Sequence, residues 1–170
     1  NKVVLIAGGS RGIGEGLVKQ FEKSGAKVFY ASRNKINKTN SSFHIKCDLS
    51  NENDILNIFK VFDKESSLDI FINTAAINYP TSYDNIKYKE WKNVINVNLN
   101  AAFLLCQKAI SKMKSQNFGK IVNVSSIAGR SKSIASGAHY VSSKAGIIGL
   151  TRQLSFEVAK YNINVNVVCP

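Results

Sequence analysis

Residues 3–18 read VVLIAGGSRGIGEGLV. A short β-branched apolar run enters a loop with glycines at 8, 12 and 14, and a helical pattern follows at once. Ile13, Leu17, Val18 and Phe21 share one face of that pattern, and Gly25 stands at its C-terminal end. A strand handed directly to an amphipathic helix is half of a βαβ unit, and the same alternation recurs down the chain. Strand-like runs stand at Lys2–Gly8, Lys27–Ser32, Phe43–Cys47, Leu68–Asn73, Lys120–Ser125 and Ile163–Val168. Between them lie helical stretches: one capped by Asn51 or Ser50 and carrying Ile55, Ile58, Phe59 and Phe62, one from about Lys89 to Lys114, and one from Ala138 to Lys160. The runs are continuously apolar, as strands are when both sheet faces are covered. Right-handed crossovers then give an α/β fold, a Rossmann-type doubly wound parallel sheet with helices on both faces.

At 170 residues with 44% hydrophobic content, the chain makes a single domain over residues 1–170, able to bury a core. No apolar run approaches the roughly 20 residues of a membrane span. Cys47, Cys106 and Cys169 are odd in number and lack CxxC spacing, which fits a reducing cytoplasm and argues against a disulfide framework or a zinc site. His44 and His139 also lack ligand spacing and are read as structural, His139 lying near Tyr140 only by adjacency. The formal charge of +12 is dispersed, without a Lys/Arg block, so it is compatible with an acidic partner yet does not demand one. Arg33–Ser42 is the one polar loop expected to be mobile. The sequence stops at Cys169-Pro170, straight after a strand, and the unprotected edge this leaves suggests a domain incomplete at its C-terminus.

The glycines of the first loop permit a tight turn, close approach of backbone to a pyrophosphate, and close helix–strand packing. The helix starting near Ile13 then aims free N–H groups and a positive dipole end at the phosphates. At the end of the second strand, where an acid would hold the ribose diol of NAD, the sequence reads ASRN. Arg33 takes that place, with Arg11 in the glycine loop, and a guanidinium suits a 2′-phosphate. This points to NADP(H) rather than NAD. Asp48 follows the third strand, where it accepts from an adenine amine or caps the next helix.

Tyr140 and Lys144 stand four residues apart, on one helical face. With the cofactor loop, the motifs GGSRGIG, CDL, NTAA, NVNL, NVSS, YVSSK and INVNVVCP fall in an order that resembles the short-chain dehydrogenase/reductases, in particular the single-domain 3-oxoacyl-carrier-protein reductases. The resemblance implies interconversion of a ketone and a secondary alcohol by hydride transfer, with Tyr140 as acid/base. Lys144 would favour the phenolate and hold the ribose hydroxyls. Ser126 would polarise the substrate oxygen, and Asn98 would hold a water in a proton relay. Ser126 lies 14 residues before Tyr140, one more than in the fatty-acid-synthesis members, which leaves Ser125 open as the serine. The cofactor contacts implied are Gly8, Ser10, Arg11, Gly12, Ile13, Gly14, Arg33, Asp48, Leu49, Asn73 and Ala75, with Tyr140 and Lys144. NTAA departs from the commoner NNAG, which bears on the backbone's approach to the adenosine ribose.

The resemblance further implies a small carbonyl or alcohol substrate, free or carried by a carrier protein, and a homotetramer built through the two long helices. No nucleic-acid module or membrane segment is legible. A non-catalytic NADP(H)-binding sensor or scaffold of the same fold is the alternative; the complete Ser, Tyr, Lys and Asn set speaks against it.

Overall fold

A computed structural model describes residues 2–36, 39, 41–65 and 67–170. The apolar runs pair as six parallel strands: β1 (Val3–Ala7), β2 (Lys27–Ser32), β3 (Phe43–Lys46), β4 (Ile70–Asn73), β5 (Gly119–Val124) and β6 (Ile163–Val168). Their order is β3-β2-β1-β4-β5-β6, so the chain reverses its direction of travel between β1 and β4. Register is fixed by burial on both faces, for example Ala7 opposite Ala31 on one side and opposite Asn73 on the other.

Side chains along β1 alternate between two cores, as a strand period of two requires. Val3, Leu5 and Ala7 enter the larger one, with Phe29, Phe71 and Ile121. Over it lie α2 (Glu52–Phe62), α4 (Ala101–Ser115) and α5 (Ala138–Val158). Val4 and Ile6 enter the smaller one with Val28 and Tyr30, beneath α1 (Gly12–Lys23), whose Val18 is fully buried. Asn51 caps α2 through its side-chain oxygen, which accepts from Asn53 N at 2.9 Å. Gly25 closes the α1–β2 turn with φ of +76°, a region open to glycine.

Four sequence expectations are corrected. Ile13, grouped with the buried face of α1, is 53% exposed, because the first turn of that helix overhangs the strand ends. β5 and β6 are not continuously buried: Ile163 and Val165 are inside while Asn164 and Asn166 face outward, since α1 covers only the β1–β2 half of its sheet face. The helix expected from Lys89 to Lys114 is α3 (Tyr88–Ile95), a π-helical turn over Asn96–Asn100, and then α4. The last long helix ends at Val158, followed by a short 3₁₀ turn (Ala159–Tyr161) and Asn162, whose φ of 54° breaks it. Of the loop Arg33–Ser42, residues 37, 38 and 40, on which its expected mobility bears, lie outside the described residues.

Candidate active site

A cavity of about 490 Å³ opens at the C-terminal ends of β1, β2, β3 and β4, beside the point where the strand order reverses. Crevices at this place in a doubly wound sheet are the usual ligand sites. Gly8 turns the chain out of β1 with φ of +81°, and a Cβ there would come within 2.7 Å of the Ala75 backbone. A Cβ on Gly14 would reach 2.3 Å from the Gly8 carbonyl oxygen. Gly8 is therefore set by contact as well as by conformation, and Gly14 by contact. Arg11 precedes α1 without giving it a side-chain cap, so the first-turn N–H groups at residues 12–14 remain for a ligand on the cavity wall. A diphosphate fits this cradle.

Ser10, Arg11, Gly12 and Ile13 line the same wall as Gly8 and Gly14. Arg33, Asp48, Leu49 and Ala75 close the other sides. Ser32 Oγ donates to the Asn34 carbonyl at 2.7 Å, which folds the end of β2 so that Arg33 projects from the turn, exposed. Asp48 Oδ1 accepts from both the amide and the hydroxyl of Ser50, at 2.9 and 2.8 Å. Those two bonds, and after them the Arg33 guanidinium, hold the carboxyl below its ordinary range. The Asp48 side chain thus shapes its own turn while facing the cavity, and capping of α2 falls to Asn51. Asn73 is not on the cavity wall. It is buried beneath it, its Oδ1 accepting from Ala75 N at 3.2 Å.

Tyr140 and Lys144 lie in the first turns of α5, outside the wall of this cavity and against the end of β5. Lys144 is 3% exposed, and its Nζ donates to the Val124 carbonyl at 2.8 Å. The ammonium stands 5.6 Å from the centre of the Tyr140 ring. Burial pushes its pKa down from 10.5 to about 8, against a smaller upward pull from Cys169. Lys144 therefore still carries its charge at neutral pH, next to a half-buried phenol. The two serines separate cleanly: Ser125 is buried and donates to the Lys144 carbonyl at 2.7 Å, whereas Ser126 is half-buried with Oγ accepting from Ala128 N at 3.2 Å. Asn98 sits inside the π-helical turn, 1% exposed. Its Oδ1 accepts from Ile77 N at 2.8 Å, and its Nδ2 donates to Ile77 O at 2.9 Å and to Ser143 Oγ at 3.0 Å. π-turns recur at functional sites because they re-aim one side chain without ending the helix.

A family model described as short chain dehydrogenase matches residues 2–170. The chain belongs to the short-chain dehydrogenases. It is 37% identical to the 3-oxoacyl-acyl-carrier-protein reductase FabG of Rickettsia prowazekii (strain Madrid E), over 99% of this chain and 71% of that protein. It is 33% identical to carbonyl reductase family member 4 of Xenopus laevis, over 100% of this chain and 75% of that protein. Among solved structures, a short-chain dehydrogenase from Leptospira borgpetersenii serovar Hardjo-bovis, with bound NAD+, superimposes with a TM-score of 0.94. That match is 34% identical and covers 100% of this chain and 70% of that one. No helix among the described residues is long and apolar enough to cross a membrane.

Sequence reasoning missed several residues that shape this short-chain dehydrogenase site. Thr74, noted only as a departure from the commoner motif, donates its hydroxyl to the carbonyls of Ala7 and Gly8, at 2.9 and 3.2 Å. It thereby clips β4 to the start of the glycine loop. Its signal was a hydroxyl directly after a strand that neighbours the loop's own strand. Ile77, Tyr79, Asn93 and Val97 also line the cavity, and nothing local to them announced it.

Proposed function

We propose that this short-chain dehydrogenase is an NADP(H)-dependent oxidoreductase that interconverts a ketone and a secondary alcohol, with Tyr140 as acid/base. The observation that carries the reading is the buried Lys144 ammonium 5.6 Å from the Tyr140 ring, on a sheet whose glycine loop frames a cavity of about 490 Å³. The residues present fit a dinucleotide: Gly8, Ser10, Arg11, Gly12, Ile13 and Gly14 would hold the diphosphate, and Asp48, Leu49 and Ala75 would frame the adenosine, with Asn73 supporting Ala75 from beneath. Arg33 would pair with a 2′-phosphate, and no carboxylate at the end of β2 competes for a ribose diol. When bound, the nicotinamide supplies or accepts the hydride.

The protein's own residues do the rest. A free tyrosine has a pKa near 10 and is a poor base at neutral pH. The Lys144 cation stands where it stabilises the negative charge that develops on the Tyr140 oxygen as its proton leaves. In the reducing direction Tyr140 gives its phenolic proton to the carbonyl oxygen, and in the oxidising direction it takes the alcohol proton. Ser126, whose hydroxyl is the less committed of the pair, hydrogen-bonds the substrate oxygen. Asn98 holds the relay water through the second lone pair of Oδ1, since both of its amide hydrogens are already donated. Lys144 and Tyr140 would also hold the ribose of a bound nicotinamide.

The similarity to acyl-carrier-protein reductases and the charge of +12 support a 3-oxoacyl substrate on an acidic carrier. Phe103 on α4 and Phe156 on α5, 47% and 81% exposed, support a homotetramer joined through these helices. The three free thiols support a cytoplasmic setting. The test is titration of the full-length protein with NADPH and with NADH, for wild type and Arg33→Ala, followed by turnover of a 3-oxoacyl thioester with Tyr140→Phe as control. Arg33→Ala is expected to weaken NADPH binding roughly 10- to 100-fold, as loss of a charged hydrogen bond does, while leaving NADH nearly unchanged. Tyr140→Phe should cut kcat by about 10²–10⁴-fold, with cofactor affinity falling by no more than about tenfold for the one lost ribose hydrogen bond. Equal affinity for both nucleotides in wild type would remove the NADP assignment, and an active Tyr140→Phe would remove the acid/base assignment.

A further inference from the structure

The first turn of α5 has an unusual cap. Its N-cap residue is Gly137, which has no side chain to offer the free N–H groups of the turn. The imidazole of His139 does that work instead. Its Nδ1 accepts from the backbone N–H of Tyr140 at 2.7 Å, and that N–H is shared with the Gly137 carbonyl at 3.0 Å. Because Nδ1 accepts, the ring proton sits on Nε2, which donates to Glu90 Oε1 at 2.7 Å. The ring is fully buried, edge-on to Tyr79 with centroids 6.3 Å apart. Gly137 is required by this packing, since a Cβ there would lie 2.6 Å from the His139 ring and 2.8 Å from the Thr81 carbonyl.

Glu90 belongs to α3, and its carboxyl is held below the ordinary range by hydrogen bonds from His139 and then from the Thr81 side chain. Asn93 and Val97, three and seven residues further along, line the cavity. One helix thus carries both a cavity wall and the carboxylate that reaches, through a buried ring, the backbone of Tyr140. The loop ahead of α5 is tied to the same neighbourhood: Gly137 N donates to the Tyr79 carbonyl at 3.0 Å, and Asn78 Nδ2 donates to the Ala135 carbonyl at 3.2 Å.

We propose that His139 and Glu90 are positioning residues for Tyr140: the buried imidazole, oriented by the carboxylate, fixes the backbone from which the phenol projects and couples it to the α3 wall of the cavity. This rests on the reading of Tyr140 as acid/base. Misplacement of a reacting group by a fraction of an ångström lowers turnover without lowering cofactor affinity.

Removing the buried ring of His139 leaves a hole that can unfold the chain, so the test uses its half-exposed partner. In the full-length protein, Glu90→Ala and Glu90→Gln are compared with wild type for kcat and KM with acetoacetyl-N-acetylcysteamine, for NADPH affinity by fluorescence, and for Tm. Glu90→Ala is expected to lower kcat about tenfold with NADPH affinity within twofold, and Glu90→Gln, whose amide oxygen still accepts from Nε2, should recover most of it. Unchanged kcat in Glu90→Ala would overturn the proposal. So would a loss in Glu90→Ala that Glu90→Gln does not repair, or one matched by weaker NADPH binding and a lower Tm, which is what a purely structural contact gives. Tyr140→Phe, measured alongside, separates the two readings: if it is inactive while Glu90→Ala is normal, only the positioning role falls, and if it is active, both fall.

Discussion

Replacing Lys144 with Met should abolish turnover and make the protein more stable. Lys144 is 3% exposed, and its burial lowers the pKa from 10.5 to about 8. That difference is worth roughly 3 kcal/mol against the folded state wherever the side chain is charged in both states. Losing the bond from Nζ to the Val124 carbonyl takes back about 1 kcal/mol. Met fills a similar volume without charge, so the net gain near pH 7 is about 2 kcal/mol, a Tm rise of roughly 4–8 °C for a chain of this size. The sign with pH follows from the direction of the shift. Below about pH 8 both folded and unfolded wild type hold the proton, and the full penalty applies. Between about 8 and 10.5 the folded state has lost it while the unfolded state has not, so wild-type stability climbs with pH. Above 10.5 the penalty is gone. Paired urea titrations of the full-length wild type and Lys144→Met at pH 7 and pH 10.5 measure this directly, since other groups titrating in that range are common to both proteins. A variant no more stable than wild type at pH 7 would refute the reasoning, as would an advantage that persists undiminished at pH 10.5.

Gly14→Ala should remove NADPH binding while far-UV circular dichroism stays native, because its Cβ would sit 2.3 Å from the Gly8 carbonyl oxygen and force the loop outward. Thr74→Val should lower stability by about 1–2 kcal/mol in urea unfolding, since two carbonyls lose a shared donor, and should weaken NADPH binding through the loosened loop.

What was legible in the sequence was local. The glycine loop, the six apolar runs and the cap at Asn51 or Ser50 each depend on residues within a few positions: the runs all became strands, though β5 and β6 alternate in burial, and Asn51 took the cap. Asp48 reads two ways in sequence because its role depends on Asn51, which takes the cap of α2, and on Arg33, which shares the cavity wall with it. What stayed hidden depends on contacts between distant residues. Thr74 reaches back 67 residues to Ala7, and Glu90 reaches forward 49 to His139. The π-turn at Asn96–Asn100 has no period of its own in the sequence, because it is held by Asn98 gripping Ile77 and Ser143 from other elements.

The same physics explains why α5 reads poorly as an amphipathic helix. A surface helix sorts apolar residues inward and polar ones outward. Here His139, Ser143, Lys144 and Thr151 are buried together with Ile147, Ile148 and Val158, while Phe156 is 81% exposed. A buried polar group costs free energy unless it is paired. Each of these is: His139 with Glu90 and the Tyr140 amide, Ser143 with Asn98 and the Tyr140 carbonyl, Lys144 with the Val124 carbonyl, and Thr151 with Asn123. The bonds from Lys144 to the Val124 carbonyl, and from the side chains of Asn123 to Thr151 and of Asn98 to Ser143, tie α5 to β5 and to the π-turn, so they fix where α5 lies along the sheet. The polar residues that blur the hydrophobic pattern are therefore the ones that set the Tyr140 and Lys144 side chains in place, and a helix evolved only to cover a sheet would have no reason to bury them.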